Sequence, residues 1–173
     1  TMRIAVTGST GMIGTALVEA LRREGHELVR LVRHTHPDET VVDGVTERHW
    51  SPFGEPDPKP YEGCDVVVHL AANPRVSESV RDPYADARVN VLGTVSVLAA
   101  AARAGAAKVV VASSGGTIYG SLRDGEDRLG EQAPRAPVSP YGLSKLTAHS
   151  YAELYDRLFG LPSTVLALGN VYG

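Results

Sequence analysis

Short blocks of consecutive apolar residues alternate along this chain with stretches whose apolar positions recur at helical spacing. Arg3 to Thr7 is such a block and reads as a buried strand. Met12 to Glu24 places Ile13, Ala16, Leu17, Ala20 and Leu21 on one helical face, with Gly25 where a cap belongs. Glu27 to Arg33 is a second strand. From His34 to Gly63 the pattern fails. Pro37, Pro52, Pro56, Pro58 and Pro60 predict a loop with at most one weak strand, near Val41 to Trp50, and Trp50 reads as a packing anchor. Val66 to Leu70 is an unbroken apolar run, as in a strand buried on both faces. Pro83 to Ala104 is a long alanine-rich helix closed by Gly105. "KVVVASS" is a strand, and Gly115 to Pro137 is a loop. Pro140 to Phe159 is a helix with Ser139 as cap and Gly160 as stop. "STVLAL" is a last strand.

Strands alternating with helices build βαβ units with right-handed crossovers. The expected fold is therefore α/β, a doubly wound Rossmann fold with a mostly parallel sheet occupying residues 1–173 as one domain. Composition agrees. In 173 residues, 43% hydrophobic and 21% charged, there is enough apolar material for a core. A net charge of -3 gives no electrostatic case for a nucleic-acid partner. No apolar run reaches membrane-spanning length, and no leader segment is seen. The one cysteine, Cys64, excludes an internal disulfide, so the cytoplasm is the expected location. The six histidines, His34 and His36 among them, form no supported ligand set, and no metal is expected. His69, at the end of its strand, reads as a core residue rather than a base.

"VTGSTGMIG" carries Gly8, Gly11 and Gly14 between a buried strand and an amphipathic helix. There Gly8 allows the sharp turn, Gly11 the close approach of a pyrophosphate, and Gly14 tight packing of the helix. The helix start offers N–H groups and a dipole to the phosphates. Thr10, Met12 and Ile13 complete this set of cofactor-binding candidates. The spacing is three and three, not the two and three of the common dehydrogenase fingerprint. An acid ordinarily closes the second strand of an NAD site. Val32 stands there instead, followed by Arg33, which can pair with a 2′-phosphate, so the cofactor is NAD or NADP with a lean to NADP. Arg30 in the same strand dilutes that signal.

"YGLSK" sets Tyr141 and Lys145 one helical turn apart on one face. A fixed ammonium beside a phenol favours phenolate and so suits acid–base work. Lys145 can also hold the nicotinamide ribose. Together with the upstream glycine loop, these motifs carry a resemblance. "TGSTGMIG", "VVHLAA", "VNVLGT", "SSGGTIYG", "YGLSK" and "NVYG" follow the order of the extended short-chain dehydrogenase/reductase family, in its NAD-dependent epimerase/dehydratase branch. The resemblance spans all but 34–63. It implies that Leu70, Ala71 and Ala72 line the cofactor, together with Ser113 and Leu168, that Asn90 lies beneath the nicotinamide half, and that Asn170 faces the substrate. It implies Tyr141 as acid/base with Lys145 as its partner, a nucleotide-sugar substrate, and 4-epimerase chemistry by hydride removal and return. It also implies a homodimer through helices 83–104 and 140–159, although the Ala99–Ala102 face could equally pack on the sheet.

Three departures matter. Gly115 stands where the family carries a further hydroxyl, leaving Thr117 (the preferred substitute) and Ser114 as candidates. Gly116 and Thr117 replace the Asp-Glu of dehydratases, which argues against dehydration. Val32-Arg33 leaves an NADP-dependent reductase open, and a non-catalytic dinucleotide sensor is a further alternative. Relatives continue past "NVYG" into a small substrate domain, expected beyond residue 173, so 1–173 alone is expected to bind cofactor and turn over sugar poorly. Sugar specificity would lie in that domain and in the loop 121–137, whose charges Arg123, Asp124, Glu126, Asp127 and Arg128 otherwise form a solvated surface.

Overall fold

The fold is seen in a computed structural model that describes residues 1–33, 39–122 and 128–172. Its elements are β1 (Arg3–Thr7), α1 (Met12–Arg23), β2 (Glu27–Val32), β3 (Thr40–Val42), β4 (Val45–His49), β5 (Val66–His69), α2 (Val76–Arg81), α3 (Pro83–Ala87), α4 (Gly93–Arg103), β6 (Lys108–Ser114), α5 (Gly115–Ile118), α6 (Pro140–Phe159) and β7 (Ser163–Leu168). The strands form one sheet ordered β3-β4-β2-β1-β5-β6-β7. Every pairing is parallel except β3 with β4. Growth of the sheet reverses at β1, with β2 and β4 to one side and β5, β6 and β7 to the other. That is the doubly wound order expected from the sequence, and its reversal leaves a crevice between the C-terminal ends of β1 and β5.

Alternate residues of the central strands feed two cores. Ala5, Val29, Val67, Val109 and Val111 pack with Val97, Leu98 and Ala101 of α4 and Ala152 of α6. Ile4, Val6, Leu28 and Val68 pack with Leu17, Val18 and Leu21 of α1. Strands covered by helices on both faces have no polar side, hence their unbroken apolar runs. Trp50 and Tyr61 enter the first core, so Trp50 is the anchor that the sequence suggested.

The structure departs from the sequence reading in several segments. The irregular stretch holds two strands, not one weak strand. β3 and β4 form a hairpin whose turn residues Asp43 and Gly44 have φ of 52° and 76°. Two left-handed residues in succession are what a two-residue hairpin turn needs, and Asp-Gly is a preferred pair for it. α2 was not foreseen, and α5 occupies the start of a segment read as loop. The helix expected at 83–104 is one rod over 83–103, but Arg88–Leu92 is wound as a π-helix. By length and composition alone this 21-residue rod would pass for a membrane-spanning helix. Val97, Leu98, Ala100 and Ala101 within it are buried in the core, so its apolarity serves packing, and much of the alanine face is directed inward. His34, His36, Arg123, Asp124, Glu126 and Asp127 lie outside the described residues.

Candidate functional site

A cleft of about 1190 Å³ opens at the C-terminal ends of β1, β2, β5 and β6. Gly8, Thr10, Gly11, Met12, Ile13 and Gly14 line it. Gly8 has φ 68°, and a Cβ there would lie 2.7 Å from the Ala71 nitrogen. A Cβ on Gly14 would lie 2.1 Å from the Gly8 oxygen, so the tight packing concerns the loop itself. Gly11 donates its N–H to the Gly8 oxygen at 3.1 Å and would accept a Cβ in ordinary contact at 3.4 Å. α1 begins without a side-chain cap and without an acid in its first turn. Its leading N–H groups and dipole therefore offer themselves to an anion. A bare helix start reached over a glycine turn fits the pyrophosphate of a dinucleotide.

Leu31, Val32, Arg33 and Glu47 line one wall of this cleft. Arg33 is exposed, whereas Arg30 is half-buried and paired with Glu47 at 2.9 Å. The ambiguity between the two arginines is thereby resolved in favour of Arg33 as the one at the cleft. Glu47 escaped the sequence reading because parallel pairing of β4 with β2, with Arg30 opposite Glu47, brings it there.

Tyr141 and Lys145 line the same cleft. Ser139 caps α6 by accepting the Gly142 N–H at 3.1 Å, and Pro140 opens the first turn, where a missing N–H costs nothing. The Lys145 Nζ lies 5.9 Å from the centroid of the Tyr141 ring and donates to the Ala112 oxygen at 3.0 Å. Burial lowers the Lys145 pKa to about 8, while the Asp86 carboxylate raises it. Burial pushes the Tyr141 phenol up, the Ser114 side chain opposes this, and Asp86 adds to it. From the sequence, the ammonium one turn away favours phenolate. In the structure desolvation is stronger, and the phenol keeps its proton at neutral pH.

Leu70, Ala71, Ala72, Ser113, Ser114, Leu168 and Asn170 all line the cleft. Thr117 does not. It donates to the Ser114 oxygen at 3.4 Å, so Ser114 is the hydroxyl brought to Tyr141. A Cβ on Gly115 would meet the Ala167 oxygen at 2.8 Å, so that position faces β7 rather than the cleft. Asn90 is likewise set back from the lining. Its Oδ1 accepts the Asn73 N–H at 2.9 Å and its Nδ2 donates to the Asn73 oxygen at 3.0 Å. It therefore acts on the cleft through Asn73, a lining residue that sequence reasoning missed. Ser79, also missed, accepts the Tyr141 N–H at 3.1 Å.

His69 is the core residue expected. The hydroxyl of Thr94 donates to the Asn90 oxygen at 2.8 Å, so its 3.1 Å contact with His69 requires Nε2 to be the donor. Nδ1 then accepts from the Thr7 hydroxyl at 2.7 Å, and that oxygen accepts the Ala71 N–H at 3.2 Å. Burial lowers the His69 pKa to about 3, with Lys145 acting in the same direction. Among the described residues, no group of His, Cys, Asp and Glu is placed to hold a metal ion.

Strand order and a glycine cradle at the switch point define a Rossmann domain built for a dinucleotide. The chain belongs to the NAD dependent epimerase/dehydratase family, whose sequence profile matches residues 4–173. It is 36% identical to the UDP-glucose 4-epimerase of Mycolicibacterium smegmatis, over 99% of this chain and 57% of that one. It is 34% identical to a putative UDP-glucose 4-epimerase of Methanocaldococcus jannaschii, over 98% of this chain and 56% of that one. The crystal structure of Thermus thermophilus UDP-glucose 4-epimerase in complex with NAD superposes with a TM-score of 0.85 at 36% identity, over 99% of this chain and 56% of that one. The chain thus spans little more than half the length of the relatives that it matches.

Proposed function

We propose that this chain is the cofactor-holding part of an NAD-dependent nucleotide-sugar 4-epimerase. The observation that carries the proposal is the meeting of Tyr141, Lys145 and Ser114 with the glycine cradle in one cleft. Bound there, the nicotinamide supplies a hydride acceptor and donor. The chain's own residues move the proton. The Tyr141 phenol, protonated at rest, exchanges a proton with the sugar hydroxyl, and Ser114 holds that oxygen in place. Lys145, a cation for most of its molecules at neutral pH, eases formation of the phenolate during turnover. Asn170 contacts the sugar nucleotide, and the remainder of a relative's length supplies the rest of the sugar grip. NAD is supported by the NAD complex of the Thermus relative and by Glu47 as an acid beside the end of β2. Arg33 on the same wall is what favours the alternative, an NADP-dependent reductase.

The same proposal places the protein in the cytoplasm as a homodimer. The helices expected to pair expose Leu92, Leu143 and Tyr151, and light scattering that gave only monomer would refute that pairing. Tyr141→Phe tests the chemistry. In the intact enzyme it is expected to lower turnover by roughly 10²–10⁴-fold while cofactor stays bound. Unchanged turnover would overturn the assignment, and a dinucleotide sensor would show no turnover to lose.

A further inference from the structure

Beneath the first turns of α6 lies a carboxylate that the proposed chemistry does not use. Asp86, on α3, is 1% exposed, and Lys145 is 7% exposed. Among the described residues, no other Asp, Glu, Lys or Arg is buried. Both Asp86 oxygens are held. Oδ2 accepts from the Ser144 hydroxyl at 2.6 Å, and Oδ1 accepts from the Asn90 Nδ2 at 2.7 Å. Ser144 immediately precedes Lys145 on α6. Asn90 sits in the π-helical turn and clamps Asn73 at the cleft. One buried anion thus ties together the helix that carries Lys145, the irregular turn and the cleft wall. A carboxyl group buried this deeply is ordinarily excluded from a core unless hydrogen bonds and an opposite charge compensate it, and Lys145 is the one buried cation among the described residues.

We propose that Asp86 is a positioning residue of this site: fixed by Ser144 and Asn90, it is the counter-charge that keeps Lys145 an ammonium and aligns α6 with the cleft. The inference rests on the proposed role of Lys145 and adds the group that sustains it. The other charged and titratable groups around Lys145 do not serve as an anion. Tyr141 shares its helix and keeps its proton. His69 on β5 is neutral. Arg81 of α2, Arg88 of the π-helical turn, Arg103 of α4 and Lys108 of β6, on the elements packed against α6, are exposed cations, as is Arg75 just before α2. Glu78 of α2 is hydrogen-bonded to Arg75 and Asn73.

The sequence holds three lysines, Lys59, Lys108 and Lys145, so ¹³C-lysine NMR resolves the titration of Lys145 without reference to catalysis. Asp86→Asn keeps the shape and removes the charge. It is expected to lower the Lys145 midpoint by about one pH unit or more, while Asp86→Glu leaves it near the wild-type value. In the intact enzyme the alkaline limb of the pH profile moves to lower pH by the same amount. A folded Asp86→Asn chain with an unchanged Lys145 midpoint overturns the proposal, whatever the reaction proves to be. If Asp86→Asn fails to fold, the Asp86→Asn/Lys145→Met double variant decides. Refolding supports a charge pair, and continued failure assigns Asp86 to structure alone.

Discussion

At position 115 the missing side chain is a consequence of packing. A Cβ there would lie 2.8 Å from the Ala167 oxygen and 3.3 Å from the Leu168 oxygen, both on the backbone of β7. Strand backbone cannot swing aside as the tip of a flexible side chain can. Gly115→Ser is therefore expected to cost roughly 1–3 kcal/mol of stability through overpacking, and to leave activity no higher. Urea unfolding beside a turnover assay checks this, and a stable, faster Gly115→Ser enzyme would show that the site does lack a hydroxyl. The sequence could not make this distinction. Tyr141, Lys145 and the glycines are legible because their spacing is local. The facing of residue 115 is set by β7, and the Asp86–Ser144 bond joins residues 58 positions apart. A pairing so remote leaves no local pattern.

Between elements, a line of neutral hydrogen bonds runs from the Ala71 N–H through Thr7, His69 and Thr94 to the Asn90 oxygen. It joins the ends of β1 and β5 to α4 and the π-helical turn. Its direction demands that His69 Nδ1 accept a hydrogen bond, which protonation would forbid. In the folded chain His69 takes up a second ring proton only below about pH 3, against an ordinary value near 6.5. The unfolded chain therefore binds the extra proton first, so stability is full above pH 6.5 and falls as the pH drops towards 3. By pH 4 the loss from this group is roughly 3 kcal/mol. Lys145 adds nothing in that window, being protonated in both states. Thermal unfolding at pH 7 and pH 4 is expected to show a smaller acid loss for His69→Gln than for wild type, and equal losses would refute the account. The strands and long helices were legible from periodicity and caps. The β3–β4 hairpin carries its turn chemistry in "VVDGV", but the prolines on both sides, Pro37 and Pro52 to Pro60, mark the same stretch as loop. The π-helix at Arg88–Leu92 has no sequence mark.

The whole molecule presents a dinucleotide cradle on a rigid sheet, and its affinity for cofactor can be read without any sugar. A ligand that binds only the folded state raises stability in proportion to the logarithm of its excess, by about 2.7 kcal/mol at a hundredfold excess over Kd. NAD added to this chain is expected to raise its unfolding temperature, and Gly14→Val, which forces a side chain against the Gly8 oxygen, is expected to abolish the rise. The choice of cofactor depends on two groups on one wall. Glu47 is acidic and lines the cleft, with one of its oxygens held by Arg30 at 2.9 Å. Arg33 is exposed at the cleft and suits a 2′-phosphate. If Glu47 governs, NAD stabilises more than NADP, and Arg33→Ala leaves the NAD response unchanged. If Arg33 governs, NADP stabilises more, and Arg33→Ala removes that advantage alone. The first outcome belongs with a redox-neutral epimerase that retains its cofactor. The second belongs with a reductase that exchanges NADPH each turnover, and it would replace the epimerase proposal.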